Sequence, residues 1–168
     1  MIEKFKTLFF VKISLISLYL ALTIPIPFIS SQELKIISII VFLFGLFLII
    51  SITNDYVETN DQKISYKTNF ISEIFGKKSW ELFWKDINLI KSSPTSQGSK
   101  VYYFVTYEDK NYLMPQRIEN YEEFLIIISK KTGIDVKGFN YISPLWTYKL
   151  LTVLSIFMIT GEVIALYF

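Results

Sequence analysis

Chemistry in this chain must come from carboxylates, hydroxyls, phenols and amines, because its 168 residues include no Cys and no His. Without His there is no Ser-His-Asp triad, no imidazole ligand and no group that titrates unperturbed near neutral pH. Without Cys there is no thiol nucleophile, thiolate metal site or disulfide framework. Two acidic pairs remain, Glu108-Asp109 and Glu122-Glu123. The first falls in a predicted turn and the second in the first turn of a predicted helix, where negative charge suits the dipole. Neither has a partner that would split its pKa values as acid–base work requires. Glycine-rich phosphate loops, paired-aspartate metal motifs and nucleophile elbows are absent. The reading is of a non-catalytic chain with no cofactor and no metal site.

Binding chemistry has more to work with. Gly76-Lys77-Lys78 is the strongest basic cluster, and near an anionic bilayer each lysine adds about 1 kcal/mol of attraction; a solvated turn is the simpler alternative. Phosphoinositide recognition would need converging Lys and Arg, and Arg117 is the sole Arg. Trp80 and Trp84, four apart in a presumed strand, share a face. With Phe83 and Ile87 they fit core packing better than a cofactor site, or an interaction surface at the sheet rim. Tyr102, Phe104 and Thr106 share one face of a further strand, and Tyr103, Val105 and Tyr107 the other. Aromatic residues on both faces call for a cover beyond a single helix: the membrane, a second copy or a partner protein. Glu162 stands within an apolar stretch as a candidate intramembrane polar site, with Lys35 as a candidate partner. The 17 Lys+Arg against 15 Asp+Glu, net +2, do not form the Arg-rich stripe of a nucleic-acid binder.

The elements that position these residues begin with apolar runs. Hydrophobic residues make up 52% of the chain and charged ones 19%. Residues 13–32 form a charge-free run of 20, and residues 36–54 one of 19. A bilayer-spanning helix needs about 20 such residues, so spans of about 8–29 and 36–53 are predicted, joined by the tight connection Ser30-Ser31-Gln32-Glu33-Leu34. Pro25 and Pro27 should end the first helix. A cleaved leader is the less favoured reading, since no small-x-small site follows and the second span begins at once. A third stretch, Leu145 to Phe168, carries Trp146, Tyr148 and Tyr167 as interfacial aromatics. Phe168 at its end leaves Glu162 about two helical turns from the surface. A full span is favoured there over an interfacial helix. Lys4, Lys6 and Lys12 ahead of the first span place the N-terminus and the central region in the cytoplasm by the positive-inside rule.

The central part, residues 55–141, holds 12 cationic and 12 acidic residues. Strands are expected at 64–68, 70–74, 80–84, 87–90, 101–107 and 112–114. Residues 91–100, KSSPTSQGSK, read as a structureless loop. Asn120 is placed as an N-cap with Glu123 closing a capping box, and Tyr121, Phe124, Leu125 and Ile128 follow at helical spacing up to Gly133 as C-cap. Short antiparallel strands closed by one amphipathic helix make a small α+β domain.

This pattern resembles the pleckstrin-homology-like (PH-like) membrane proteins of bacteria. The likeness is carried by Trp84-Lys85-Asp86-Ile87, the strand pair around Asp109, Met114-Pro115 and residues 119–133, and it spans roughly residues 54–139. It implies a bent antiparallel sheet capped by a C-terminal helix. Asn54-Asp55-Tyr56, Phe75-Gly76-Lys77-Lys78, Lys85-Asp86-Ile87 and Thr132 to Gly138 are further similar to the photosystem I assembly factors of cyanobacteria and chloroplasts. This chain differs from them in its shorter hairpin loop and its added third apolar stretch. The resulting expectation is a three-span α+β membrane protein: a transmembrane hairpin over 1–54, a cytoplasmic PH-like domain over 55–141 and a third span over 142–168. It would sit in a bacterial inner membrane, or in a thylakoid if the source is photosynthetic. Its expected partners are the lipid bilayer and a membrane protein or a second copy, in a scaffold or assembly role. A small transporter or channel component is the alternative, although apart from Glu162 and the prolines the spans offer few polar residues.

Overall fold

The computed structural model describes residues 2–167. In chain order its elements are β1 (Glu3–Lys6), α1 (Phe9–Thr23), α2 (Pro25–Ile29), α3 (Lys35–Ile52), β2 (Tyr56–Thr59), β3 (Lys63–Lys67), α4 (Phe70–Ile74), β4 (Trp80–Phe83), β5 (Ile87–Pro94), β6 (Lys100–Thr106), β7 (Asn111–Leu113), α5 (Tyr121–Thr132) and α6 (Leu145–Tyr167), with a 3-10 turn at Trp84–Asp86. They sort into two units. One contains the residues through Leu8 together with Asn54–Ser143, the other Phe9–Thr53 together with the residues from Pro144 onward.

The first unit is α+β, with one four-stranded antiparallel sheet in the order β1-β2-β3-β4 and one three-stranded antiparallel sheet in the order β5-β6-β7. β1 corrects the assignment of residues 1–54 to a helical hairpin alone, because Glu3–Lys6 pairs with Tyr56–Thr59 across the whole intervening segment. A four-residue strand with one apolar side chain carries little periodic signal. Phe5 nevertheless enters the core, edge-on to Phe124 with ring centroids 5.4 Å apart. Lys4 lies over the Tyr56 ring at 3.5 Å and beside Glu58 at 3.7 Å, so a lysine counted as a topology signal is also a strand residue.

Three further expectations are corrected. Residues 70–74 are helical, not extended: the Asn69 side chain accepts the Ser72 N–H at 2.9 Å and caps the turn. The supposed loop 91–100 continues β5 to Pro94, and only residues 95–99 turn back. β5 is an edge strand, so a terminal proline interrupts no second ladder. Asn120 precedes α5 as expected, but it adopts a left-handed backbone (φ 52°) and its side chain makes no capping bond. Gly133 ends α5 in the left-handed conformation expected of a C-cap. One core joins both sheets to α5 through Val57, Ile64, Leu82, Phe104, Phe124 and Ile128. The chain after α5 also covers it, with Phe139 stacked on Tyr102 at 4.0 Å and Tyr141 at 4.9 Å from Tyr121.

The second unit contains three helical segments long and apolar enough to cross a membrane: Phe9–Ile29, Lys35–Ile52 and Leu145–Leu166. The first is broken at Ile24, where Pro25 opens α2; the prolines interrupt the helix without ending the apolar segment. α1 packs most extensively along α6 and also against α3. Its buried stripe is Val11, Ser14, Ser17 and Ala21, and Ser155 is buried on α6. Small residues allow the helices to approach closely. Their hydroxyls bond back to carbonyls of their own helices, Ser14 to Val11 at 3.0 Å and Ser155 to Leu151 at 2.8 Å. Between α1 and α3, Tyr19 donates to the Phe42 carbonyl at 2.7 Å and its ring lies against Gly45. A Cβ at residue 45 would collide with that ring, 2.9 Å from Cζ.

Two outcomes follow. Phe5→Ala should destabilise the β-rich unit by about 3–5 kcal/mol, a buried-aromatic truncation, whereas truncating exposed Ile2 should change it by under about 0.5 kcal/mol; denaturant titration of the detergent-solubilised chain reads both. Gly45→Ala and Tyr19→Ala should each lower the thermal midpoint in detergent, and the double variant should be no worse than the worse single one. Additive losses would mean that the two residues do not share one packing site.

Candidate interaction surface

Side chains along β6 point alternately to two faces, although Val105 is buried as well, at 8% exposure. Tyr102, Phe104 and Thr106 are buried and face the core, so Val101, Tyr103 and Val105 belong to the opposite face. Residues directly opposite in an antiparallel pair share a face. The register therefore places Leu89 and Asn111 beside Val105, and Lys91 and Leu113 beside Tyr103. A bulge between Ile87 and Leu89 makes this possible, because the extra residue lets Ile87 and Ile90 both pack inward while Leu89 turns outward. The result is an apolar row of Leu89, Tyr103, Val105 and Leu113 with Lys91 and Asn111 among it. Leu89 is 44% and Leu113 53% exposed. An aromatic and aliphatic centre within a polar rim is the composition of a protein-binding patch.

The sequence-derived candidates divide. Tyr103 lies in this row, half-buried, and Tyr107 lies exposed just beyond the end of β6. Trp80 and Trp84 do not form an interaction surface. Trp84 stands in the 3-10 turn, not in a strand; it is buried, and its indole N–H donates to the Asn60 carbonyl at 2.8 Å. Trp80 fills the space between Tyr66, Phe104 and Tyr112, with ring centroids 5.7–5.9 Å away. Lys35 is exposed at the first residue of α3, and no ion pair joins it to Glu162 among the described residues. α6 packs most extensively along α1. One Glu162 carboxylate oxygen is buried without a hydrogen-bond partner. The Tyr167 side chain and Phe168 lie outside what is described. Among the described residues no three His, Cys, Asp or Glu side chains converge to hold a metal.

Lys77 and Lys78 also separate. Lys78 is exposed, whereas Lys77 is ion-paired with Asp55. Asp55 is only 4% exposed, and its carboxylate also accepts the Tyr66 hydroxyl at 3.0 Å and the Ser72 hydroxyl at 2.9 Å. Its backbone carbonyl accepts the Thr7 N–H at 3.2 Å and the Thr7 hydroxyl at 2.8 Å. A buried carboxylate is tolerated only when paired and fully hydrogen-bonded, and this one is both. Sequence reasoning missed its role; the available signal was a carboxylate immediately after an apolar run, in Asn54-Asp55-Tyr56. Burial, and then the neighbouring Asp55 carboxylate, push the Tyr66 phenol well above its ordinary range. Burial does the same to Tyr121.

The unfolded chain releases phenol protons near pH 10 while folded Tyr66 and Tyr121 keep theirs. The unfolded state then binds fewer protons, so stability should fall as pH rises above about 10. Thermal midpoints in detergent from about pH 8 to about pH 11 should show this loss, and Tyr66→Phe should make it shallower.

No family model matches the chain. A relative from Synechocystis sp., the uncharacterized protein slr0269, is 31% identical over an alignment of 162 residues that covers 93% of this chain and 81% of that protein.

Proposed function

We propose that this chain, which belongs to the same family as the Synechocystis protein slr0269, is a non-catalytic integral membrane protein that holds a PH-like domain at the membrane surface as a scaffold or assembly factor for a membrane protein complex. The observation that carries this reading is the outward row of Leu89, Tyr103 and Leu113 around buried Val105, open at Leu89 and Leu113, on a sheet whose other face packs into the core. The three apolar helices support the membrane anchorage, with most of the domain sequence running between the second and the third and β1 ahead of the first. Two antiparallel sheets closed by the C-terminal α5 agree with the arrangement that the PH-like resemblance implies. Protein is favoured over lipid as the occupant of the row because Lys91 and Asn111 interrupt it; such a polar rim suits a wet, directional interface.

A photo-crosslinking amino acid at position 103 or 113, in the full chain in its own membranes, should give a discrete adduct with a membrane protein. The same probe at exposed Ile126 on α5 should give none. Leu113→Glu should abolish the adduct formed from position 103. Adducts of equal strength from all three positions, or none from 103 and 113, would overturn the reading. Photosystem I as the complex is a second reading, favoured by the resemblance to its assembly factors and by the cyanobacterial source of the relative; photosystem subunits in the adduct are its expected outcome.

A further inference from the structure

The β3–β4 connection carries an apolar lip that no strand or helix of its unit covers. α4 turns Ser72 inward, fully buried, while Phe70, Ile74 and Phe75 are 75%, 66% and 59% exposed. Exposed Lys78 follows, after Gly76 reverses the chain at φ +85°. Glu73, the lip's one carboxylate, accepts the Ser79 hydroxyl at 3.3 Å. This lip is held on both sides by Asp55, which bonds Ser72 at one end and Lys77 at the other. Asp55 follows Ile52, the last residue of α3, by three peptide steps, and three residues extend at most about 10 Å. The headgroup layer on each side of a bilayer is about 5–7 Å thick.

We propose that Phe70, Ile74 and Phe75, with Lys78 at their edge, insert into the interfacial layer of the bilayer that α3 crosses. The proposal rests on the reading of α3 as a membrane span and adds a second attachment to that membrane. Exposed aromatic and aliphatic side chains beside a lysine match the chemistry of the headgroup–acyl boundary, where apolar groups are buried shallowly and cations face anionic lipid. The lip is held to Asp55, and the stretch of chain from Asp55 back to the end of α3 is only three residues long, which is short enough for the lip to reach that layer.

The absence of cysteine permits single-site labelling of the full chain. An environment-sensitive fluorophore on Ile74→Cys, Gln97→Cys at the exposed β5–β6 turn or Ile50→Cys within α3 would be compared in vesicles of phosphatidylcholine and phosphatidylglycerol carrying brominated acyl chains. The expected result is blue-shifted, quenched emission from positions 50 and 74, and unshifted, unquenched emission from position 97. Quenching at 50 with none at 74 would overturn the lip proposal and leave the span intact. No quenching at 50 would overturn the span reading and the proposal with it. Equal quenching at 74 and 97 would also overturn the proposal, because it would mean nonspecific contact.

Discussion

The pairing of Glu3–Lys6 with Tyr56–Thr59 is the constraint on which the rest depends. It makes the edge of the four-stranded sheet from the two sides of a long helical excursion, and so ties the beginning of that excursion to its end. Thr7 bonds the Asp55 backbone; α1 begins two residues after the first of these, and α3 ends three residues before the second. A helical excursion closed in this way is an insertion into a β-domain. It must turn back on itself, which the short connection between α2 and α3 allows. Phe5 would have no place in the core without this closure, and Asp55 would lose the Thr7 N–H and Thr7 hydroxyl that fix its carbonyl.

Asp55 extends the same clamp sideways. A single buried carboxylate collects a phenol, a hydroxyl and an ammonium from β3, α4 and the residues beyond it. Removing any one donor would leave the charge less satisfied in a poorly solvated place, so the three donors act as one unit. The unit also decides which lysine is available: Lys77 is spent on structure, and Lys78 remains at the surface. The β5–β7 sheet shows a comparable division of labour. Its inner face packs into the core shared with α5, where Phe139 stacks on Tyr102, while its outer face leaves Leu89 and Leu113 open.

Much of this was legible in the sequence. The three apolar runs, the alternation of Tyr102 to Tyr107, the α5 stripe and Gly133 all carried signals long enough to read. What escaped was short or decided at a distance. β1 has one apolar residue in four, and only the distant Tyr56–Thr59 gives it a partner. Residues 70–74 have strand composition, yet Asn69 caps them into a helical turn, where a local hydrogen bond outweighs a weak propensity. Trp84 followed strand spacing on paper, but the 3-10 turn moved it into the core. The single-residue bulge after Ile87 sets which side chains face outward, and no composition rule foretells where a bulge falls. Of the candidate surface, Tyr103 was visible from alternation, whereas Leu89 and Leu113 required the register.

The split sheet also imposes an order on biosynthesis. Glu3 leaves the ribosome 56 residues before Thr59, which at about 5–20 residues per second is roughly 3–11 s. During that interval β1 has no strand to pair with, while the most apolar segments of the chain are being made behind it. Its sequence, Glu-Lys-Phe-Lys, suits the wait: three charges around one phenylalanine discourage premature association with other unpaired strands. The β-domain is thus completed only after the helical excursion has been synthesised and folded back, so Glu3–Lys6 finds its place well after it is made.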